Sequence, residues 1–270
     1  MSIEKSKMIK KRRRSKEKGW RAFGFWLGAY GRPFSNPALS PYVFPLFDLF
    51  SFSLFLQFPW LTINMTTSLQ LLKRTLRKEM ATRLKAVTAD SINSQSDGVF
   101  KQLIELDEFK ASKSISVYIS MPTCEINTRA MIRYILEADK TCYIPRCTKN
   151  TMDMVKITSW EDYLSLPINK WDIPEPPLHQ VRENALDVNG LDLILVPGVA
   201  FDSDRNRIGH GKGYYDRYLL KYQDWATRNN KPMVKTVALA LQEQIVDLGT
   251  IPLEQTDQKL DHILTPLQKL

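Results

Sequence analysis

Beyond residue 65 the apolar positions of this chain fall into two rhythms. Leu69, Leu72, Leu76, Met80 and Leu84 recur at steps of three and four, which puts them on one helical face. Thr66, Thr67 and Ser68 stand before them as candidate N-caps, and the predicted helix runs to about Val87. A second helix is predicted over 90–109. SISVYIS (114–120) is β-branched and aromatic and predicts a strand. TRAMIRYILEAD (128–139) predicts a helix, and TCYIPR (141–146) and MDMVKI (152–157) predict strands. LDLILVPGVAF (191–201) is a continuous apolar run, as expected of a strand buried on both faces. YYDRYLLKYQDWA (214–226) predicts a helix and VKTVALAL (234–241) a strand. IVDLG and DHILT predict a short helix and a last short strand. Residues 167–190 are rich in proline and polar groups and contain WDIPEPP. They form a long loop, which within a folded domain is either functional or disordered.

Alternating strands and helices predict an α/β fold: a single three-layer domain over 65–270, with a mainly parallel sheet flanked by helices. Residues 1–64 follow no such rhythm. They open with a cationic run, KKRRRSKEKGWR (10–21), and then VFPLFDLFSFSLFLQFPWLTI (43–63), whose only charge is Asp48. That length matches a membrane span, but Asp48, Pro45 and Pro59 weaken the match. Three readings of this N-terminal extension stand side by side: a targeting leader, a signal anchor, or the product of an upstream start codon, because Met65 immediately precedes the predicted helix. It is a poor mitochondrial presequence, being lysine-rich and carrying Glu4 and Glu17.

Charge sharpens the division. The net charge of +9 over 270 residues suggests an anionic polymer or a membrane as partner. Residues 1–64, however, carry 11 Lys and Arg against 3 Asp and Glu, leaving 27 against 26 for the rest. The body is nearly neutral, and no groove-reading or aromatic motif accompanies the basic run, so no nucleic-acid partner is expected. A monomer in the cytoplasm is expected, with mitochondrial or membrane association arising only through residues 1–64. Cys124, Cys142 and Cys147 are too few for a disulfide framework and lack the ligand spacing of a zinc site.

The candidate chemistry lies in RIGHGKGYYDRY (207–218), between the buried strand and a helix. Gly209, Gly211 and Gly213 alternate with His210 and Lys212. Glycines let backbone turn sharply and approach a ligand closely. A helix N-terminus presents free N–H groups to an anion, and Arg207 and Lys212 add charge suited to phosphate. The spacing matches neither G-x-x-x-x-G-K-[ST] nor G-x-G-x-x-G, and a plain flexible turn is the other reading.

The longer run LDLILVPGVAFDSDRNRIGHGKGYYDRYL (191–219) resembles the signature of the 5-formyltetrahydrofolate cyclo-ligase (methenyltetrahydrofolate synthetase) family. So do LLKRTLRKEM (71–80), SVYISMPTCEINT (116–128), IPRC (144–147), MDMVKI (152–157), KWDIPEP (170–176), VALALQEQIV (237–246) and TDQKLDHIL (256–264), in the same order. The resemblance covers essentially all of 65–270. It implies ATP- and Mg²⁺-dependent closure of 5-formyltetrahydrofolate to 5,10-methenyltetrahydrofolate. The formyl oxygen is phosphorylated, N10 attacks, and ADP and phosphate are released. A non-catalytic folate- or nucleotide-binding module on the same fold is the alternative.

The resemblance also assigns residues. Lys73 and Arg77, one helical turn apart, would grip ATP phosphates, although on spacing alone they read as solvated charges. Arg207, Ile208, Gly209, His210, Gly211, Lys212, Gly213, Tyr214 and Tyr215 would form the ATP loop, with Lys212, Arg207 and Tyr214 carrying catalysis. Both tyrosines read equally well as core contacts of a first helical turn. Asp216 and Asp257 would hold Mg²⁺, with a helix first-turn charge as the competing role for Asp216. Glu125 would accept hydrogen bonds from the pterin, and Ile119, His210 and Tyr214 would line the folate site. Trp171 would cover the folate or simply pin the loop. His210 stands where some relatives carry arginine and brings less positive charge.

Overall fold

β1 (Ser114–Ser116) and β4 (Leu193–Val196) lie side by side and parallel at the centre of a six-stranded sheet. The remaining strands are β2 (Thr141–Cys147), β3 (Met152–Ile157), β7 (Lys235–Leu239) and β8 (His262–Leu264), and the order is β3-β2-β1-β4-β7-β8. Every neighbouring pair is parallel except β2 and β3, which pair antiparallel at one edge. The computed structural model describes residues 59–270, with side chains from residue 68 onward. The readings placed on residues 1–64 fall outside that range, apart from the backbone of 59–64. Among the described residues no helix is long and apolar enough to cross a membrane.

The mainly parallel, helix-flanked architecture agrees with the sequence reading. Strand side chains alternate between two cores. Leu193, Leu195, Val237 and Leu239 face one cluster, completed by Val99 and Leu103 of α2 (Ala89–Glu105), Phe109 of α3 (Asp107–Ala111) and Met131, Ile132 and Ile135 of α4 (Arg129–Glu137). Ile194, Val196 and Ala238 face the other, completed by Tyr218, Leu219, Tyr222 and Ala226 of α6 (Tyr214–Arg228). Removing one wholly buried leucine, as in Leu195→Ala, costs about 2–5 kcal/mol.

Five local expectations need correction. The first helix, α1, spans Pro59–Lys85, so Thr66, Thr67 and Ser68 lie inside it and do not cap it. The helix expected over 90–109 is two helices, broken where buried Leu106 is extended (φ −67, ψ 128). Of SISVYIS only the first three residues are strand, as β1; Val117 N–H still donates to the Tyr143 carbonyl of β2 (2.9 Å), and Tyr118–Ser120 continue as loop. The run LDLILVPGVAF is two strands in two sheets. Pro197 and Gly198 end β4, and β5 (Ala200–Phe201) then pairs antiparallel with β6 (Arg207–Ile208). Gly198 packs so close that a Cβ there would stand 2.5 Å from the Phe201 ring. The short helix expected at IVDLG is displaced upstream to a 3₁₀ turn at Gln242–Gln244. The Gln244 side chain accepts from Leu241 N–H (2.9 Å) and donates to the Gly198 carbonyl (2.7 Å), which fixes that turn.

α1 docks on the β5–β6 ribbon through Leu76 and Met80, against Val199, Ala200, Ile208 and Ile251, while Leu84 joins the first core. Leu72, expected on the same face, is 52% exposed. The stripe therefore passes from apolar residues to buried Lys73 in the direction of the helix N-terminus.

The long loop divides in two. Residues 167–175 form a small pinned turn, described below. Residues 180–187 strap the edge strand β3: Lys156 N–H donates to the Glu183 carbonyl (3.0 Å), and Val155 bridges Asn184. This covers an otherwise unpaired strand edge. Arg182 fastens the strap through paired contacts to Asp162 (2.8 and 2.5 Å), in α5 (Trp160–Leu164). The Arg182 contacts hold the Asp162 carboxyl down at about 2. Its ordinary value is about 3.9, so the stabilisation is complete above that pH and is lost as pH falls toward 2. Denaturant titrations at a series of pH values should show that loss, on the order of 2 kcal/mol. Asp162→Asn should be less stable at neutral pH and should lack this acid limb.

Candidate active site

The chains leaving β1 and β4 turn opposite ways, one toward β2 and the other toward β7. The crevice between them, beyond the carboxyl ends of these strands, is where open α/β sheets bind ligands. A cavity of about 1000 Å³ lies there. Its wall includes Lys73, Arg77, Ile119, Glu125, Trp171, all of Arg207–Asp216, and Asp257. Each sequence-assigned site residue therefore reaches one cavity, from five separate segments of chain.

The glycine loop joins β6 to α6. Gly211 (φ +97) and Gly213 (φ +61) adopt left-handed backbone that side-chain-bearing residues avoid. Gly213 is the N-cap of α6 and makes no side-chain cap, so the helix's first N–H groups and its positive dipole end remain free beside the cavity. Arg77 Nε donates to the Gly209 carbonyl (2.7 Å) and ties the loop to α1. Burial lowers the Arg77 pKa, opposed by Asp257 and then Glu254.

The cations are partnered unequally. Lys73 Nζ sits between Asp257 (2.6 Å) and Glu254 (3.3 Å). Arg207 is buried and bonded to Asp216 (2.5 Å), while its Nε has no partner among the described residues. Lys212 is exposed, and among the described residues it makes no ion pair. A tightly paired cation exchanges partners on meeting an anion, whereas Lys212 is free to meet one directly.

Asp216 Oδ2 and Asp257 Oδ1, the oxygens not engaged by Arg207 and Lys73, accept no hydrogen bond from the described residues. A hard divalent cation uses one or two such carboxylates together with phosphate oxygens. The donor set therefore fits Mg²⁺ alongside a nucleotide. Among the described residues no three His, Cys, Asp or Glu groups converge to hold a metal without it.

On the opposite wall, Glu125 is buried on the loop after β1. Its Oε2 accepts from Met121 N–H (3.0 Å), and His210 Nε2 lies 3.3 Å from its Oε1. Ile119 lines the same side. Trp171 is 58% exposed at the tip of the 167–175 turn. Asn169 Oδ1 accepts from Trp171 N–H, and Glu175 accepts from Asn169 Nδ2 and Cys147 N–H (each 2.9 Å), so the turn is pinned without burying the indole. The turn is therefore held by Asn169 and Glu175 and not by the indole.

The Tyr214 hydroxyl donates to the Thr148 carbonyl (2.9 Å) in the β2–β3 turn. Tyr215 packs into both cores with its hydroxyl buried. Several lining residues were not assigned from the sequence. Tyr118 follows β1 and lines the cavity; burial, then nearby Glu125, raises its pKa well above normal, so it remains a hydroxyl donor. Arg217 donates to the Lys212 carbonyl (2.7 Å) and lies over the Tyr214 ring (5.3 Å). Glu254 and Met121 bear on Lys73 and Glu125 as described. Tyr118 had a signal, since it lies near the end of a predicted central strand, whereas Arg217 and Glu254 look like ordinary surface charges.

Comparison with known proteins bears on this cavity. Residues 70–266 match the sequence model of the 5-formyltetrahydrofolate cyclo-ligase family. A probable 5-formyltetrahydrofolate cyclo-ligase of Schizosaccharomyces pombe is 40% identical over 200 residues, covering 73% of this chain and 97% of that protein. The 5-formyltetrahydrofolate cyclo-ligase of Mus musculus is 41% identical over 194 residues, covering 71% and 92%. Among solved structures, the NMR structure of Aquifex aeolicus 5,10-methenyltetrahydrofolate synthetase superposes with a TM-score of 0.57 at 28% identity, covering 73% and 91%.

The open helix cap yields a direct test. Gly213→Ala places a Cβ on left-handed backbone, 3.1 Å from Arg217 Nη1. It should lower stability by about 1–2 kcal/mol in denaturant titration. An unchanged midpoint would show that the cap adopts ordinary backbone instead.

Proposed function

The chain belongs to the 5-formyltetrahydrofolate cyclo-ligase family, and from that premise we propose that it uses ATP to close 5-formyltetrahydrofolate to 5,10-methenyltetrahydrofolate, releasing ADP and phosphate. The observation that carries this reading is the pairing of two unlike walls in one cavity. One is a cationic, glycine-built helix N-terminus, and the other is a buried carboxylate flanked by apolar and aromatic groups.

The chemistry explains the need for both. A formyl oxygen on nitrogen leaves poorly, because amide resonance makes its carbon weakly electrophilic. Transfer of the γ-phosphoryl group breaks the bond between that group and ADP and forms a bond to the formyl oxygen. N10 then attacks the activated carbon and gives up its proton, the C–O bond breaks, and the oxygen departs with phosphate. The enzyme's task is alignment, charge neutralisation and exclusion of water.

In this reading Lys212 and the free N–H groups of α6 meet the phosphates, and Lys73, Arg77 and Arg207 close on them as their present partners yield. Glu125 accepts from the pterin's N–H groups, Ile119 packs against the ring, and Trp171 covers it. With its hydroxyl engaged by Thr148, Tyr214 acts as a wall of the nucleotide site. Asp216 and Asp257 would hold Mg²⁺, which neutralises and orients phosphate oxygens when bound. The proposed partners are these small molecules alone, acting on a monomer. The proposed compartment is the cytoplasm, with residues 1–64 as the segment able to redirect the chain. Residues 65–270 are proposed as the catalytic unit.

Two measurements test the proposal. Product absorbance should appear only when ATP, Mg²⁺ and 5-formyltetrahydrofolate are all present, and turnover without ATP would rule out the phosphorylation step. Lys212→Ala should lower kcat/KM by about 100-fold or more while leaving the melting temperature unchanged, because the side chain is exposed and unpaired. Near-normal kcat/KM would remove Lys212 from the phosphate site.

A further inference from the structure

Among the described residues, the glycine loop and the Glu125 wall meet at a polar contact between His210 Nε2 and Glu125 Oε1 (3.3 Å). The partners differ sharply: the Glu125 side chain is 8% exposed and that of His210 is 56%. Glu125 is held from behind by Met121 N–H, so only Oε1 is open to exchange. His210 rides on the glycine loop, followed by Gly211 in left-handed backbone and preceded by Gly209, whose carbonyl is anchored by Arg77. The imidazole can therefore swing while the loop on either side stays tied. A continuous set of contacts runs from α1 through Arg77, Gly209, His210 and Glu125 to the loop after β1.

We infer that His210 is a positioning residue that couples the two substrates, releasing the folate carboxylate when nucleotide is present and joining the nucleotide wall when folate is present. The inference rests on the cyclo-ligase reading of this cavity. A buried carboxylate must keep its hydrogen bonds. When pterin N–H groups take Oε1, the imidazole loses its partner and is left beside the loop that meets the phosphates. There it offers a donor the nucleotide lacks in the absence of folate. Conversely, a nucleotide that draws His210 toward its phosphates uncovers Oε1 for the pterin. Each substrate thus favours the other, and by thermodynamic necessity by the same factor. Exchange of a single hydrogen bond sets that factor at about 3- to 10-fold.

The experiment is a binding cycle on the full chain. The dissociation constant of a non-hydrolysable ATP analogue with Mg²⁺ is measured by calorimetry with and without saturating 5-formyltetrahydrofolate. In the wild type the folate should tighten the analogue about 3- to 10-fold. In His210→Ala the ratio should fall to about 1, whereas His210→Gln, which keeps an N–H donor, should retain most of it. If His210 were only a phosphate ligand or a structural residue, both dissociation constants would rise together and the ratio would stay at its wild-type value, overturning the inference. A wild-type ratio of 1 would overturn it equally. Failure of the wild type to bind either compound would instead sink the cyclo-ligase reading beneath it.

Discussion

Two parallel strands that part company govern this molecule. β1 and β4 hydrogen-bond to each other, yet the chain leaves one toward β2 and the other toward β7. Among the described residues the connections leave the gap on opposite sides, so the sheet does not fill it with its own backbone. The loop after β1 brings Glu125 and the chain after β6 brings the glycine cradle. α1, the 167–175 turn and the segment around Asp257 supply the remaining walls. Everything chemical here is a consequence of where that gap lies.

Charge is arranged around it with restraint. Lys73 and Arg207 carry carboxylate partners, Arg77 has a carbonyl, and Lys212 makes no ion pair among the described residues. A pocket of unpaired buried cations would be expensive in the free protein. Pairing lowers that cost and leaves the cations where an incoming anion can compete for them. It also places two carboxylates, Asp216 and Asp257, on the cavity wall.

Much of this was legible in the sequence, for physical reasons that differ by residue. Gly211 and Gly213 were readable because left-handed backbone selects glycine. The strand at 193–196 was readable because burial on both faces makes its run continuously apolar. VPGVAF was misread because a continuous apolar run does not reveal a change of sheet; the break depends on Pro197 lacking an N–H and on Phe201 packing over Gly198. The start of α1 was misplaced because Thr66–Ser68 have cap chemistry without cap geometry. Arg217 and Glu254 were invisible, since their value lies in contacts to the Lys212 carbonyl and to Lys73, which are local only in three dimensions.

α1 seats on the body through a few apolar contacts on a two-stranded ribbon, and the same turns carry Lys73 and Arg77 into the cavity. Seating the helix and building one side of the pocket are therefore a single event. Whatever occupies the pocket adds its binding energy to the seating. Amide exchange along the helix between residues 73 and 84 is accordingly a reporter of occupancy: slow when the cavity is full, and faster when it is empty.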